Sequence, residues 1–295
     1  MTKKNISNTP SDPIPTVSVG TIERIASSQS QYVSARHVDV WLPEDYDANG
    51  RYAVLYMHDG QMLFDDSITW NGQSWGVAEV VSRCDIRPTI VVGIWNSGNG
   101  RYTDYLPKRP FDTLPQPFRN AIIQQAKLDD GTPLFQAAIQ SDNYLEFIVH
   151  ELKPYIDRTY PTLPDRENTF IAGSSMGGLI SWYAVCEFPS IFGGAACLST
   201  HFMGIDDRPD NPMPDAFAAY LQANLPAPSS HKFYFDYGTE TLDARYEPHQ
   251  RKVDVVMESR GYDGSNWQTR KFVGDDHSEI AWNGRLHIPL TFLLE

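Results

Sequence analysis

Gly173-Ser174-Ser175-Met176-Gly177 sets a serine between glycines in the pattern G-x-S-x-G. A serine hydroxyl is a weak nucleophile until a base takes its proton, and small neighbours let the chain turn sharply enough to expose it. Gly173, Gly177 and Gly178 supply them. Residues 169–172 before the turn read as a short strand and 176–188 after it as a helix. Such a strand-turn-helix points the Ser175 oxygen into a cleft. It also puts the N–H of Met176 at a helix N-terminus, where it can hold a developing oxyanion. Ser174 stands one position too early for the glycine spacing. The implied chemistry is acyl transfer through Ser175.

That chemistry needs a base and a carboxylate to orient it, and in this arrangement the chain order is serine, acid, histidine. Four histidines follow Ser175 at a distance: His231, His249, His277 and His287. His277 sits in Asp275-Asp276-His277-Ser278-Glu279, directly after the last expected strand and before the last expected helix. His231 precedes a strand, at its wrong end, His249 begins a helix and His287 lies inside one. His277 is therefore the expected base. The acid should follow the strand KFYFDY (232–237), which leaves Glu240 and Asp243, since Asp236 is inside the strand. Asp243 is preferred and Glu240 is the runner-up.

A second oxyanion donor is expected from the loop after the strand YAVLYM, in His58-Asp59-Gly60-Gln61. Gln61 is the expected N–H donor, and Gly60 would let the backbone approach the substrate. His58 and Asp59 are adjacent and lack an evident third ligand, so no metal site is expected. Trp70, Trp75, Arg101 and His201 are candidate pocket residues. The tryptophans would form an acyl or aryl wall, Arg101 would meet an anionic group, and His201 would border the site.

Elements must carry these residues. Alternating or continuous apolar runs predict strands over 36–42, 52–57, 89–95, 169–172, 194–198, 232–237 and 267–273. Helices are expected over 75–83, 143–157, 176–188, 215–225, 249–260 and from 279 onward. This β-α alternation predicts a mainly parallel sheet with helices on both faces and the site at the carboxyl ends of the strands. With the strand-turn-helix at Ser175 and the order serine, acid, histidine, the expected fold is the α/β-hydrolase fold. Residues 1–15 are polar and Pro-rich and read as a flexible arm, and 16–295 as one domain. Residues 96–141, rich in Pro, Asp, Gln and aromatics, read as a lid-like insertion over the site.

The chain has 295 residues and a formal net charge of −13. That balance argues against a nucleic-acid partner. Cys84, Cys186 and Cys197 fit no zinc or redox spacing and are expected to be free thiols. No stretch has the apolar length of a membrane span and no secretory signal is evident, so a cytoplasmic location is expected. The expected partner is a small-molecule ester, and the sequence leaves oligomeric state open.

His58-Asp59-Gly60-Gln61-Met62-Leu63-Phe64-Asp65, Gly173-Ser174-Ser175-Met176-Gly177-Gly178, and Asp276-His277-Ser278-Glu279 with Trp282 and Arg285 together resemble the esterase family of α/β-hydrolases. That family includes ferric-siderophore, feruloyl and acetyl-xylan esterases, S-formylglutathione hydrolases and mycolyltransferases. The resemblance runs from about Val38 onward. It implies ester hydrolysis by a Ser-His-acid mechanism without a cofactor, on short-acyl or aryl esters or on a catecholate trilactone siderophore. The segment GTETLDARY (238–246) is similar to the acid loop of the siderophore-esterase branch, which favours Asp243. Ser174 replaces the histidine usual before the nucleophile in formylglutathione hydrolases, and this argues against a thioesterase. An acyltransferase on the same triad, or an inert binding protein on the same scaffold, would be the other readings.

Overall fold

The computed structural model describes residues 12–128, 131–135, 137–205, 208 and 210–295, so the first eleven residues of the expected arm lie outside the described residues. Eight strands make one sheet: β1 Thr21–Ser28, β2 Arg36–Leu42, β3 Ala53–His58, β4 Thr89–Ile94, β5 Thr169–Ser174, β6 Gly194–Leu198, β7 Lys232–Tyr237 and β8 Trp267–Lys271. Their spatial order is β1-β2-β4-β3-β5-β6-β7-β8. β2 runs antiparallel to both β1 and β4, and every pairing from β4 across to β8 is parallel. The helices are α1 Val77–Arg83, α2 Arg101–Tyr105, α3 Lys108–Asp112, α4 Gln116–Gln125, α5 Ser141–Glu146, α6 Lys153–Thr159, α7 Met176–Glu187, α8 Met213–Asn224, α9 Glu247–Ser259, α10 Glu279–Arg285 and α11 His287–Leu294.

The two-residue period of a strand sorts its side chains between two cores. In β3, Val54 and Tyr56 join one apolar cluster with residues of α2 to α9, while Ala53, Leu55 and Met57 join another with α1, α10 and α11. Both faces are thus covered, which is why YAVLYM reads as an unbroken apolar run. Each such aliphatic side chain contributes about 1.5–3 kcal/mol by leaving water. α7 is buried along almost its whole length, because it lies between the sheet and the α8 layer.

Some expectations shift. β1 carries no clear apolar signal because it is an edge strand with about half its residues exposed. It holds residues 12–15 of the expected arm: Arg24 Nη1 donates to the carbonyls of Asp12 (2.7 Å) and Pro13 (2.9 Å). The helix expected from 279 onward is two helices, since Pro289 has no N–H to return to the Arg285 carbonyl and the first helix stops there. Between α5 and α6 the helix widens into a π turn over Phe147–Leu152. Pro154 stands at the second position of α6, two residues on, and its ring would crowd a regular turn. The described part of 96–141 forms α2, α3 and α4, whose Tyr105, Leu106, Phe111 and Ile122 enter the core beside α7. The three cysteines are free, two of them buried.

Two glycines give opposite expectations. A Cβ on Gly173 would lie 2.8–2.9 Å from backbone atoms of Gly177, which cannot retreat without opening the turn. Gly173→Ala should cost about 1–3 kcal/mol. Gly284 sits in α10 with nothing within 4 Å of its would-be Cβ, so Gly284→Ala should gain about 0.5–1 kcal/mol. Urea midpoints of both variants against wild type check the pair.

Candidate active site

β5 ends at Ser174 and α7 begins at Met176, leaving Ser175 as the whole turn, with φ 57° and ψ −118°. A non-glycine residue holds that backbone only when its surroundings impose it. They do so through hydrogen bonds. Ser175 N donates to Leu198 O (3.0 Å), and Ser175 O accepts from the N–H groups of His201 and Leu179 (3.2 Å each). The end of β6 therefore clamps the turn. Met176 is the first residue of α7, where the helix's own ladder leaves the N–H unused.

The loop after β8 carries His277. Its N–H donates to Thr241 Oγ1 (3.0 Å), and its ring meets Trp282 edge-on, with centroids 5.0 Å apart. Nδ1 lies 2.6 Å from Asp243 Oδ1, so Nε2 is the nitrogen available for chemistry. Asp243 is fully buried and sits in a 3-10 turn after β7. Its other oxygen accepts from Gly238 N (2.6 Å) and Ser199 Oγ (2.5 Å). Glu240, the runner-up acid, is exposed and its nearest side-chain partner is Thr239 Oγ1 at 3.4 Å. Of the two candidates, Asp243 is the one brought to His277.

Behind this pair lies a network the sequence reading did not find. Ser199 Oγ gives its one proton to Asp243 and accepts from Trp282 Nε1 (2.9 Å) and Arg285 Nη2 (2.8 Å). Asp236, pointing off β7, accepts from Arg285 Nη2 (3.0 Å) and Nε (3.2 Å) and from Ser199 N (3.0 Å). Arg285 Nη1 reaches Asp275 (2.8 Å). Burial works against the Arg285 charge, but Asp236 and Asp275 outweigh it and raise the guanidinium pKa.

On the other side of Ser175, Asp59 adopts a left-handed backbone (φ 57°, ψ 46°) and starts the 3-10 turn Gly60–Met62. Gln61 is the middle residue of that turn, so its N–H precedes the first bond of the turn, from Met62 N to Asp59 O. Asp59 is held in a two-pronged bond by Arg101, Nε to Oδ1 and Nη2 to Oδ2, both 2.7 Å, with Asn96 Nδ2 a third donor at 2.7 Å. Burial alone would raise its pKa, but Arg101 and Asn96 lower it overall. The Gly60 Cβ position is filled by Gly93 and Trp95, so that glycine serves packing against β4 and is not on the cleft wall.

Ser175 and His277 open onto one cleft of about 630 Å³, walled also by Gln61, Met176, Trp70, Trp75, Arg101 and His201. Trp70 stands at its rim, 84% exposed. Tyr102, Asn71, Glu279 and Trp282 also line it. His201 Nδ1 bonds the Tyr246 hydroxyl (2.7 Å), and Tyr246 packs edge-on against His277. Burial raises the Tyr246 phenol pKa and Asp243 adds to that, while a hydrogen bond from Ser175 offsets part of it. Tyr246 closes the quoted GTETLDARY segment, yet nothing local marks it as a neighbour of the nucleophile. The other histidines lie elsewhere. His231 stands at the amino end of β7 on Pro189 O (2.8 Å), His249 in α9, and His287 exposed on α11. A second cleft, about 440 Å³, lies at that amino end and contains neither Ser175 nor His277.

Comparison with known proteins bears on the family and the fold. The family described as "Putative esterase" matches residues 30–122 and 131–287. An uncharacterised Bacillus subtilis protein, YbbA, is 29% identical over 56% of this chain and 56% of its own length. The chain spans about half the length of the curated relatives it matches. Among solved structures, a ferulic acid esterase from Anaeromyces mucronatus in complex with ferulic acid superposes with a TM-score of 0.59, at 20% identity, covering 94% of this chain and 92% of that one. The enterobactin esterase of Shigella flexneri superposes at 0.63, with 16% identity, 95% of this chain and 60% of that one. Identities this low establish the fold, which is that of the α/β-hydrolases.

His58, beside the nucleophile turn, gives a pH prediction. It is buried, its Nδ1 bonded to Tyr144 Oη (2.8 Å). Burial lowers its pKa from 6.5 to about 3, with Asp59 opposing and Arg101 adding. Below pH 6.5 the unfolded chain binds a proton that the folded chain refuses. Stability therefore falls as pH drops from about 6.5 towards about 3, by about 1.4 kcal/mol per unit. Urea midpoints at pH 7 and 4.5 should drop further for wild type than for His58→Gln; equal drops would refute it.

Proposed function

We propose that this chain, which belongs to the "Putative esterase" family, is a carboxylic-ester hydrolase working through Ser175, His277 and Asp243. The observation that carries the proposal is the buried Asp243 bonded to His277 Nδ1 beside a serine on a forced turn, both His277 and Ser175 facing one cleft.

His277 Nε2 takes the Ser175 proton as Oγ attacks the ester carbonyl, and Asp243 stabilises the imidazolium. The tetrahedral oxyanion is held by the N–H groups of Met176 and Gln61. Collapse breaks the bond to the alcohol oxygen, which leaves with the proton from His277. Water then attacks the acyl-enzyme, giving its proton to His277, which returns it to Ser175 as the acid departs. None of these steps requires a cofactor. The described part of 96–141 contributes Asn96, Gly98, Arg101 and Tyr102 to the wall, which supports reading it as a cap over the site. Trp70, Trp75, Tyr102 and Trp282 favour a short acyl or aryl ester, in keeping with the ferulic acid named for one structural neighbour. The free thiols suit a reducing, cytoplasmic setting.

Hydrolysis of p-nitrophenyl esters from acetate to octanoate tests this. Wild type should favour the short chains, and Ser175→Ala should lose at least about 10⁴-fold in kcat. Asp243→Asn should lose about 10²–10⁴-fold, while Glu240→Gln stays within about twofold. A fully active Ser175→Ala would refute the mechanism.

A further inference from the structure

The charges around the cleft select among esters. Among the described residues on its wall, Arg101 is the one Lys or Arg, and both of its inner N–H edges are spent on Asp59. The pair is a closed, neutral unit with the guanidinium further stacked over Tyr105, 5.2 Å from the ring centroid. Glu279 is different. It is the first residue of α10, two positions after His277, and its Oε2 accepts from the neutral Asn71 Nδ2 at 2.8 Å. No Lys or Arg forms an ion pair with it among the described residues, so its charge is uncompensated inside the cleft. Asp236, Asp243 and Asp275, gathered around the single Arg285 behind His277, add further negative potential.

Resting on the esterase reading, we propose that Glu279 is a specificity-determining residue that makes this enzyme select esters of neutral or cationic alcohols and reject anionic ones. The leaving oxygen must reach His277 to be protonated, so the alcohol lies beside residue 279 and the Asn71 loop. A carboxylate there attracts an ammonium group and accepts hydrogen bonds from hydroxyl groups. An anionic alcohol meets like charge at a few ångströms, in a cleft whose one Lys or Arg among the described residues is already engaged. The Asn71 amide fixes the carboxylate, and exposed Trp70 next to it offers a ring face to a cation.

The test is kcat/KM on three acetate esters of similar size: acetylcholine, its uncharged carbon isostere and the acetate of a hydroxypropanesulfonate. Wild type at low ionic strength should turn over the anionic ester about tenfold less efficiently than the neutral one. Glu279→Gln, which keeps a partner for Asn71, should raise the anionic-to-neutral ratio about fivefold. Added salt should shrink the wild-type discrimination, as the screening length falls from about 10 Å at 0.1 M to about 3 Å at 1 M. The salt series needs no variant. An unchanged ratio in Glu279→Gln, a wild-type preference for the anionic ester, or discrimination insensitive to salt would each overturn the inference while leaving the esterase reading intact. No turnover of any of the three esters would overturn both.

Discussion

Ser199 Oγ is the joint on which the site is built. A hydroxyl can give one proton and accept two, and here all three capacities are used: to Asp243, and from Trp282 and Arg285. Through it the end of β6, the acid loop after β7 and the helix α10 become one object. Arg285 carries the electrostatics of that object, balancing Asp236 and Asp275 directly and lying 3.9 Å from Asp243. Breaking a buried charged set by removing one partner costs about 3–5 kcal/mol. The orientation of His277 therefore rests largely on Ser199, Asp236 and Arg285, which lie behind the cleft and not on its wall.

The backbone is arranged to the same end. Five described non-glycine residues have positive φ, and four of them, Asp59, Ser175, Ser199 and Thr241, are at this site. Each follows the carboxyl end of a different parallel strand: β3, β5, β6 and β7. Each unfavourable backbone also aims a polar group. At Ser199 it lets the amide reach Asp236 while the hydroxyl reaches Asp243. At Asp59 it turns the chain into the Gly60–Met62 turn while the carboxylate faces Arg101. Strain of about 1–3 kcal/mol per residue survives because the surrounding hydrogen bonds over-determine each position.

How much of this could be read from the sequence depends on range. β2, β6 and β7 are legible residue for residue, since strand periodicity is local. The nucleophile turn and the His277 loop are legible because both lie in short motifs at element ends. Asp243 is preferred over Glu240 largely through the likeness of its loop to a known acid loop, because neighbouring carboxylates in a loop otherwise differ only in which way the backbone turns them. Ser199, Asp236 and the role of Arg285 in their network were beyond reach. Apart from Asp275, ten residues from Arg285, their partners are 37 to 86 residues away, and a serine after a strand of small residues has no distinguishing spacing. Arg101 was expected to face substrate, and its closed pairing with Asp59 emerges only when the two segments meet.

The order of the working groups along the chain also governs how the protein is made. Ser175 precedes Asp243 and His277, with roughly a hundred residues between the proposed nucleophile and base; at about 5–20 residues per second, synthesis of that interval takes on the order of ten seconds. β6, with the Leu198 carbonyl that clamps the turn at Ser175, is made early in that interval, whereas β8 and the His277 loop are made at its end and α10 after it. On the proposed mechanism the nascent chain thus carries an unarmed serine until the late strands and the His277 loop dock.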